Sequence, residues 1–363
     1  MDSSSFAINL VRLGTHTDTE LFPTPVEVDW EKVCEWAGVQ GVLAVAWDGY
    51  ARLYEAGMVT VDMDRQVKKQ WIARIFASYE RKYGQYRSAI GHLAGFYRKH
   101  GLRMMVLKGY GLSLNYPVPN HRPCGDIDIW NFGDYKRGDR LLQEELGIRV
   151  DDSHHHHTVF HFEGQLVENH YDFVNVHYGH RNAELEKVFK SLAGEDIEPV
   201  EIDGEVIYLP SPRFNALFLL RHMMLHFAST EMSVRQLLDW GFFVQKYSAA
   251  VDWEWLQEIL RRFHMDGFFR CVNAICVEDL GFDAAAFPSI SADSHLKARV
   301  LADTLSPEFS EKAPEGKSFF RRVAFKYRRW KANAWKQDLC YGDNRLWSFL
   351  VSVWSHLLKP SMI

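Results

Sequence analysis

Apolar and aromatic residues recur at helical spacing through the first hundred positions. Asp29 is placed to cap a helix beginning Trp30-Glu31-Lys32-Val33, with acidic residues in its first turn. Trp71, Ile75, Tyr79, Tyr83, Tyr86, Ile90, Leu93, Phe96 and Tyr97 then mark one face of a long helical stretch over about 63–100. Such a stripe reads as a core face rather than a ligand box. After Gly101 short apolar runs take over. They predict a strand over 102–107, a helix over about 110–116 stopped by Pro117 and Pro119, a strand over 126–130 and a charged helix over 135–146. Strands follow over about 158–163 and 165–176, turning at Glu163-Gly164-Gln165, and a hairpin over 200–209 turns at Asp203-Gly204. Helical periodicity returns over 215–227 and 233–247 and continues towards Leu280, whereas 284–315 reads as loop or short helices. The tail holds a basic run (Lys317, Arg321, Arg322, Lys326, Arg328, Arg329, Lys331) before an aromatic amphipathic helix ending near Leu358.

This order predicts an α+β fold. A small mixed β-sheet core over 101–210, with helices on one side, is flanked by an N-terminal helical segment (1–100) and a C-terminal helical domain with a basic aromatic tail (211–363). With 47% hydrophobic and 14% aromatic residues in 363, the chain has ample material for a folded core. The net charge of −5 gives no global reason to expect a nucleic-acid partner. Tyr327, Trp330 and Trp335 among the tail's basic residues leave a local acidic or nucleic-acid contact open. Cys34, Cys124, Cys271, Cys276 and Cys340 form no CxxC pair and read as reduced thiols of a cytoplasmic protein. Residues 1–6 have no basic, apolar signal-peptide pattern, and no window approaches the ~18 uncharged apolar residues of a membrane span.

The chemistry concentrates between 107 and 172. Residues i and i+2 of a strand share a face, so Asp126 and Asp128 project together while Ile127 and Ile129 enter the core. Two parallel carboxylates repel unless a cation sits between them, and oxygen donors suit Mg2+ or Mn2+. Upstream, Lys108-Gly109 opens a turn into a helix, an arrangement that suits a phosphate. Two-metal phosphoryl transfer needs a third carboxylate. Alternation sets Glu168, His170 and Asp172 on one face of the next strand; Glu168 is the first choice, Asp172 the fallback. Lys108 and Arg122 are candidate triphosphate ligands, a salt bridge being the alternative for Arg122. His154 to His157 invite a metal of the zinc, nickel or copper kind, although a loop run lacks preformed helical geometry. His222 and His226 have i, i+4 spacing, but Met223 stands where a zinc-protease helix has Glu, so packing or a supporting role is expected.

These residues resemble the uncharacterised nucleotidyltransferases of the polymerase-beta-like superfamily over most of the chain. Leu107-Lys108-Gly109, Tyr116, Arg122-Pro123 and Gly125-Asp126-Ile127-Asp128-Ile129 match the central signature, and Asp29-Trp30-Glu31, Ala37 and Gly41-Val42 the N-terminal start. Val167-Glu168-Asn169-His170-Tyr171 is similar to the acidic-then-histidine strand. Leu209-Pro210-Ser211-Pro212 with Leu220, His222, His226 and Leu237-Leu238-Asp239 resembles the C-terminal block. The resemblance implies metal ligation by Asp126, Asp128 and Glu168 and a nucleoside triphosphate substrate. The acceptor, a hydroxyl or phosphate, would lie between the sheet and the helices carrying His222, His226 and Asp239. Lys108-Gly109 stands where the superfamily usually has Gly-Ser, Trp130 where a small aliphatic is usual, and Tyr171 where Trp is expected. The altered turn favours the alternative of a degenerate nucleotide-binding protein, and the three carboxylates argue against it; an antitoxin-like partner-binding protein, with the helical domain and basic tail as its interface, is the other alternative.

Overall fold

The computed structural model describes residues 3–16, 20–24, 27–60, 62–178, 180–229, 231–289, 291–311 and 319–341. Helices α1 (Ser3–Thr15), α2 (Trp30–Val39), α3 (Leu43–Glu55) and α4 (Arg65–Ile75) form an N-terminal block. The Asp29 side chain accepts a hydrogen bond from the Lys32 backbone N–H, the cap expected from its position. Helix α1 lies ahead of the first predicted helix. Its serine-rich start mutes the periodicity, yet it buries Phe6, Leu10, Val11 and Leu13. A single π turn, Phe76–Glu80, joins α4 to α5 (Arg81–Lys99), so the long predicted helix is nearly continuous. Trp71, Ile75 and Tyr79 enter one apolar cluster, and Tyr86, Ile90, Leu93 and Tyr97 enter another beneath the sheet. The aromatic stripe is core.

Among the described residues one mixed sheet forms from β1 (Met105–Val106), β2 (Ile127–Trp130), β3 (His157–Phe162), β4 (Gln165–His170), β5 (Glu198–Ile202) and β6 (Glu205–Leu209). Their order is β3-β4-β2-β1-β6-β5. Strand β2 runs parallel to β4, which places Asp128 beside Glu168 and Trp130 beside His170. Strand β1 is antiparallel to β2 and parallel to β6. Both hairpins turn on a residue pair with positive φ, Glu163-Gly164 (49° and 77°) and Asp203-Gly204 (51° and 85°), whose twist matches that of the strands.

Helices α6 (Tyr110–Ser113), α7 (Tyr135–Leu146) and α8 (His180–Leu192) interrupt the strands. The C-terminal helices are α9 (Pro212–Ser229), α10 (Val234–Tyr247), α11 (Trp253–Arg262), α12 (Asp266–Ala274), α13 (Ser294–Leu305), α14 (Phe319–Ala332) and α15 (Ala334–Tyr341). Val106, Ile127, Ile129 and Val167 pack with α5 and with Leu142 of α7. Met105, Leu107 and Trp130 instead join the cluster that holds the buried side chains of α9 and α10. Helices therefore cover both faces, not the one expected, and the carboxylate face meets the C-terminal block.

One further expectation is corrected. The strand predicted over 165–176 stops at His170, because the Phe173 and Val174 N–H groups donate to the Glu186 carboxylate (2.9 Å each) instead of to a neighbouring strand. Helix α8, which carries Glu186, fills a stretch that the sequence pattern left unassigned, and α13 lies within the stretch read as loop or short helices. Among the described members of the basic run, Arg321, Lys326, Arg328 and Lys331 are exposed, and Arg328 pairs with Glu311 at the surface. Beyond the run, Lys336 forms a buried ion pair with Asp303 (2.6 Å). Lys317 and residues 342–363, including the expected helix end near Leu358, lie outside the described residues. All five cysteines are free and buried. No described helix is long and apolar enough to cross a membrane.

Candidate active site

The turn at Lys108-Gly109 is fixed from two sides. The Leu107 N–H donates to the Asp128 carbonyl oxygen (3.0 Å), aligning the end of β1 with β2. Gly109 has φ 54° and ψ −105°, a conformation that L side chains rarely adopt. The Tyr86 hydroxyl fills the space beside it and donates to the Asp126 carbonyl oxygen at 2.8 Å. The helix that follows, α6, is a single turn, so its dipole supplies little of the positive field expected there. The Lys108 ammonium supplies more.

Asp128 is 2% exposed and takes two cations on one oxygen: Lys108 Nζ at 2.7 Å and His170 Nε2 at 3.0 Å. Burial alone would raise its carboxyl, but Lys108 and His170 outweigh burial and hold it well below the usual carboxylate range. His170 is the reciprocal case: burial would lower it, and hydrogen bonds to Asp128 and Glu168 carry it up to about 9. The Glu168 carboxylate is lowered against its burial, chiefly by His170, whose Nε2 lies 3.6 Å away. Asp126 differs. Burial, then the charge of Asp128, raises it, and among the described residues no side chain forms an ion pair with it.

Donor atoms of Asp128, Glu168 and His170 lie within 4.8 Å of one another, and Asp126 stands outside that group. Oxygen donors from Asp128 and Glu168, with the unpaired and charge-strained Asp126 two residues ahead, fit a hard divalent cation. A cation using the paired oxygen of Asp128 displaces Lys108.

Arg122 and Asp239, both expected near substrate, bind each other. The Arg122 Nε and Nη2 donate to the two Asp239 oxygens at 2.7 and 2.9 Å, and Arg122 is 4% exposed. Tyr116 donates to the same carboxylate at 2.8 Å, and the third guanidinium nitrogen donates to the Pro123 carbonyl oxygen. Three of the five guanidinium N–H groups are thereby engaged, so Arg122 forms the salt bridge given as its alternative and ties the loop before β2 to α10, while both it and Asp239 line the cleft between sheet and helices. Asp172 leaves the site because β4 ends before it, and it pairs with Lys190 of α8 (3.5 Å). His222 and His226 stack edge to face on α9 (4.5 Å). Burial, then the charge of Lys108, pushes His222 well below its usual value.

The cleft between sheet and helices has a volume of about 70 Å3, and its lining includes Lys108, Asp126, Asp128, His222, Arg235 and Trp240. The sequence reading missed Arg235. Its Nε is buried without a hydrogen-bond partner, and among the described residues its side chain forms no ion pair. Its place just after the Ser233 cap, whose capping box with Gln236 opens α10, marks a helix start but not a cleft residue.

A model of the family described as uncharacterised nucleotidyltransferase matches residues 26–281. No curated protein matches the sequence. Two solved structures are similar in part. The solution structure of the antibiotic-resistance factor ANT(2'')-Ia is 12% identical with a TM-score of 0.36, covering 49% of this chain and 91% of that one. An antigenic nucleotidyltransferase-like protein from Paracoccidioides brasiliensis is 13% identical with a TM-score of 0.34, covering 59% of this chain and 96% of that one. The family match spans most of the chain and contains every residue of the cleft and its carboxylates, so this protein belongs to the family of uncharacterised nucleotidyltransferases.

Proposed function

We propose that the chain moves a nucleotidyl group from a nucleoside triphosphate to an acceptor hydroxyl or phosphate, with Mg2+ or Mn2+ held by Asp126, Asp128 and Glu168. The observation that carries this reading is the parallel register of β2 and β4, which sets Asp128 beside Glu168 with Asp126 two residues ahead. When bound, the ion supplies Lewis-acid polarisation of the phosphoryl oxygens. Glu168 orients the acceptor and, for a hydroxyl, takes its proton as the new bond to the α-phosphorus forms. The bond to the bridging oxygen breaks, and pyrophosphate leaves. Lys108 and Arg235 offset the charge on that leaving group. Arg235 takes the part first assigned to Arg122, whose guanidinium is committed to Asp239. A phosphate of the triphosphate seated on Lys108 would draw its ammonium away from Asp128.

Transfer of label from an α-labelled nucleoside triphosphate into a small-molecule extract tests the reading. Label transfer by the native protein and none by Asp128→Asn supports it; no transfer by either counts against it. The Lys108–Asp128 ion pair favours one second reading, a protein that holds nucleotide without turnover. Nucleotide binding with no pyrophosphate release under any acceptor selects that reading.

A further inference from the structure

The histidine run takes no part in the transfer reading, yet folding delivers two of its members to His170. His157 opens β3 directly opposite His170 in the antiparallel β3–β4 pair, and His156 precedes it at a bend. One donor nitrogen from each of His156, His157 and His170 lies within 4.8 Å of the other two. Ring centroids are 4.4 Å apart for His156–His157, 5.3 Å for His157–His170 and 5.7 Å for His156–His170. His157 is 7% exposed, and its Nδ1 has no hydrogen-bond partner; neither has the Nδ1 of His156. Buried polar atoms are nearly always paired, so two orphan imidazole nitrogens in one cluster point to a missing partner.

We propose that His156, His157 and His170 form a binding site for a borderline divalent ion of the zinc class, distinct in donor chemistry from the carboxylate site. Imidazole prefers such ions over magnesium, and three histidines with one further ligand make a four-coordinate site. Glu168 lies beside two of the three, with oxygens 3.8 Å from His157 Nε2 and 3.6 Å from His170 Nε2, which makes it the candidate for the fourth once the cluster closes. Tetrahedral zinc needs about 3.4 Å between donors, so the rings must close by on the order of 1 Å, a movement within reach of side-chain rotation. His155 stays out of the trio, facing His177 at 5.2 Å. An ion here would displace the proton that His170 holds against Asp128, pin the start of β3 to the end of β4 and share Glu168 with the carboxylate site. The proposal stands without the transfer reading.

Full-length protein stripped with a chelator and titrated with Co2+, a spectroscopic stand-in for zinc, tests it. Expected are the strong visible bands of four-coordinate cobalt, saturating at one equivalent, and paramagnetically shifted proton signals from three imidazoles in the native protein. His156→Ala/His157→Ala should lose the bands, while His154→Ala/His155→Ala and Asp126→Asn keep them. The imidazole count is read on the native chain, so a misfolded variant leaves the test standing. The proposal is overturned by a folded native protein that binds no cobalt, by fewer than three shifted imidazoles, or by bands that persist without His156 and His157. Bands lost in the His154→Ala/His155→Ala variant would also overturn it, as chelation by the neighbouring run. Bands lost only in Asp126→Asn would mean cobalt bound at the carboxylates, likewise overturning the imidazole site while leaving the transfer reading intact.

Discussion

The Tyr86 hydroxyl occupies the space that any side chain at residue 109 would need: a Cβ on Gly109 would lie 2.1 Å from it. The same hydroxyl donates to the Asp126 carbonyl oxygen, so one tyrosine of α5 holds both the Lys-Gly turn and the start of the carboxylate strand. Gly109→Ala is therefore expected to destabilise the fold by about 2 kcal/mol or more, from backbone strain plus overlap. Tyr86→Phe in that background relieves part of the overlap, so the double variant should lose less than the sum of the single ones. Denaturant midpoints read this directly, and strictly additive losses would contradict the clamp.

Lys108 and His170 both pair with one oxygen of Asp128. Lys108→Ala should therefore tighten Mn2+ binding, because Asp128 no longer has to exchange one cation for another. The same variant should weaken nucleoside triphosphate binding through the lost ammonium. Calorimetry of the two ligands separates these effects. Weaker Mn2+ binding in Lys108→Ala would count against the exchange.

The Arg122–Asp239 pair is buried and bidentate. Asp239→Ala should cost on the order of 3–5 kcal/mol by stranding a buried guanidinium, and Arg122→Met/Asp239→Leu much less. A folded Arg122→Met/Asp239→Leu protein should bind nucleotide about as the native protein does. Arg235→Ala, by contrast, should lose nucleotide affinity at nearly unchanged melting temperature. The opposite pattern would return the phosphate role to Arg122.

His121 joins the N-terminal block to the core, with Nδ1 2.7 Å from Asp48 and Nε2 3.6 Å from Glu80. Burial would lower its pKa, but the Asp48 hydrogen bond and the Glu80 charge outweigh burial and raise it above the usual 6.5. The folded state thus binds the proton more tightly than the unfolded chain. The contribution is fully present below about pH 6.5 and is lost as pH rises through the folded value. Melting temperatures should fall from pH 6 to pH 9, and less steeply in Asp48→Asn. Equal slopes would remove His121 from the explanation.

Much of this was legible in the sequence because local chemistry specified it. Alternation set Glu168 and His170 on one face of their strand, and Asp203-Gly204 marked a hairpin, whereas the pairing of Asp128 with Glu168 came only from the register of β2 on β4. The stripe from Trp71 to Tyr97 announced a core helix. What was not legible depended on partners distant in sequence. Arg122 looked like a phosphate ligand because nothing near it announces Asp239, 117 positions away. Asp172 kept the strand's alternation on paper, but Glu186 captures the next two backbone N–H groups and ends the strand. Arg235 carries no motif, and only the packing of α10 on the sheet brings it to the cleft.

The most direct test of the central claim is calorimetric binding of the four ribonucleoside triphosphates, with and without Mg2+ or Mn2+, to the native protein and to Asp126→Asn/Asp128→Asn. Saturable binding that requires the divalent ion and disappears in the folded double variant is the expected result. No binding by the folded native protein, or binding that persists without the ion or without the two carboxylates, would contradict it.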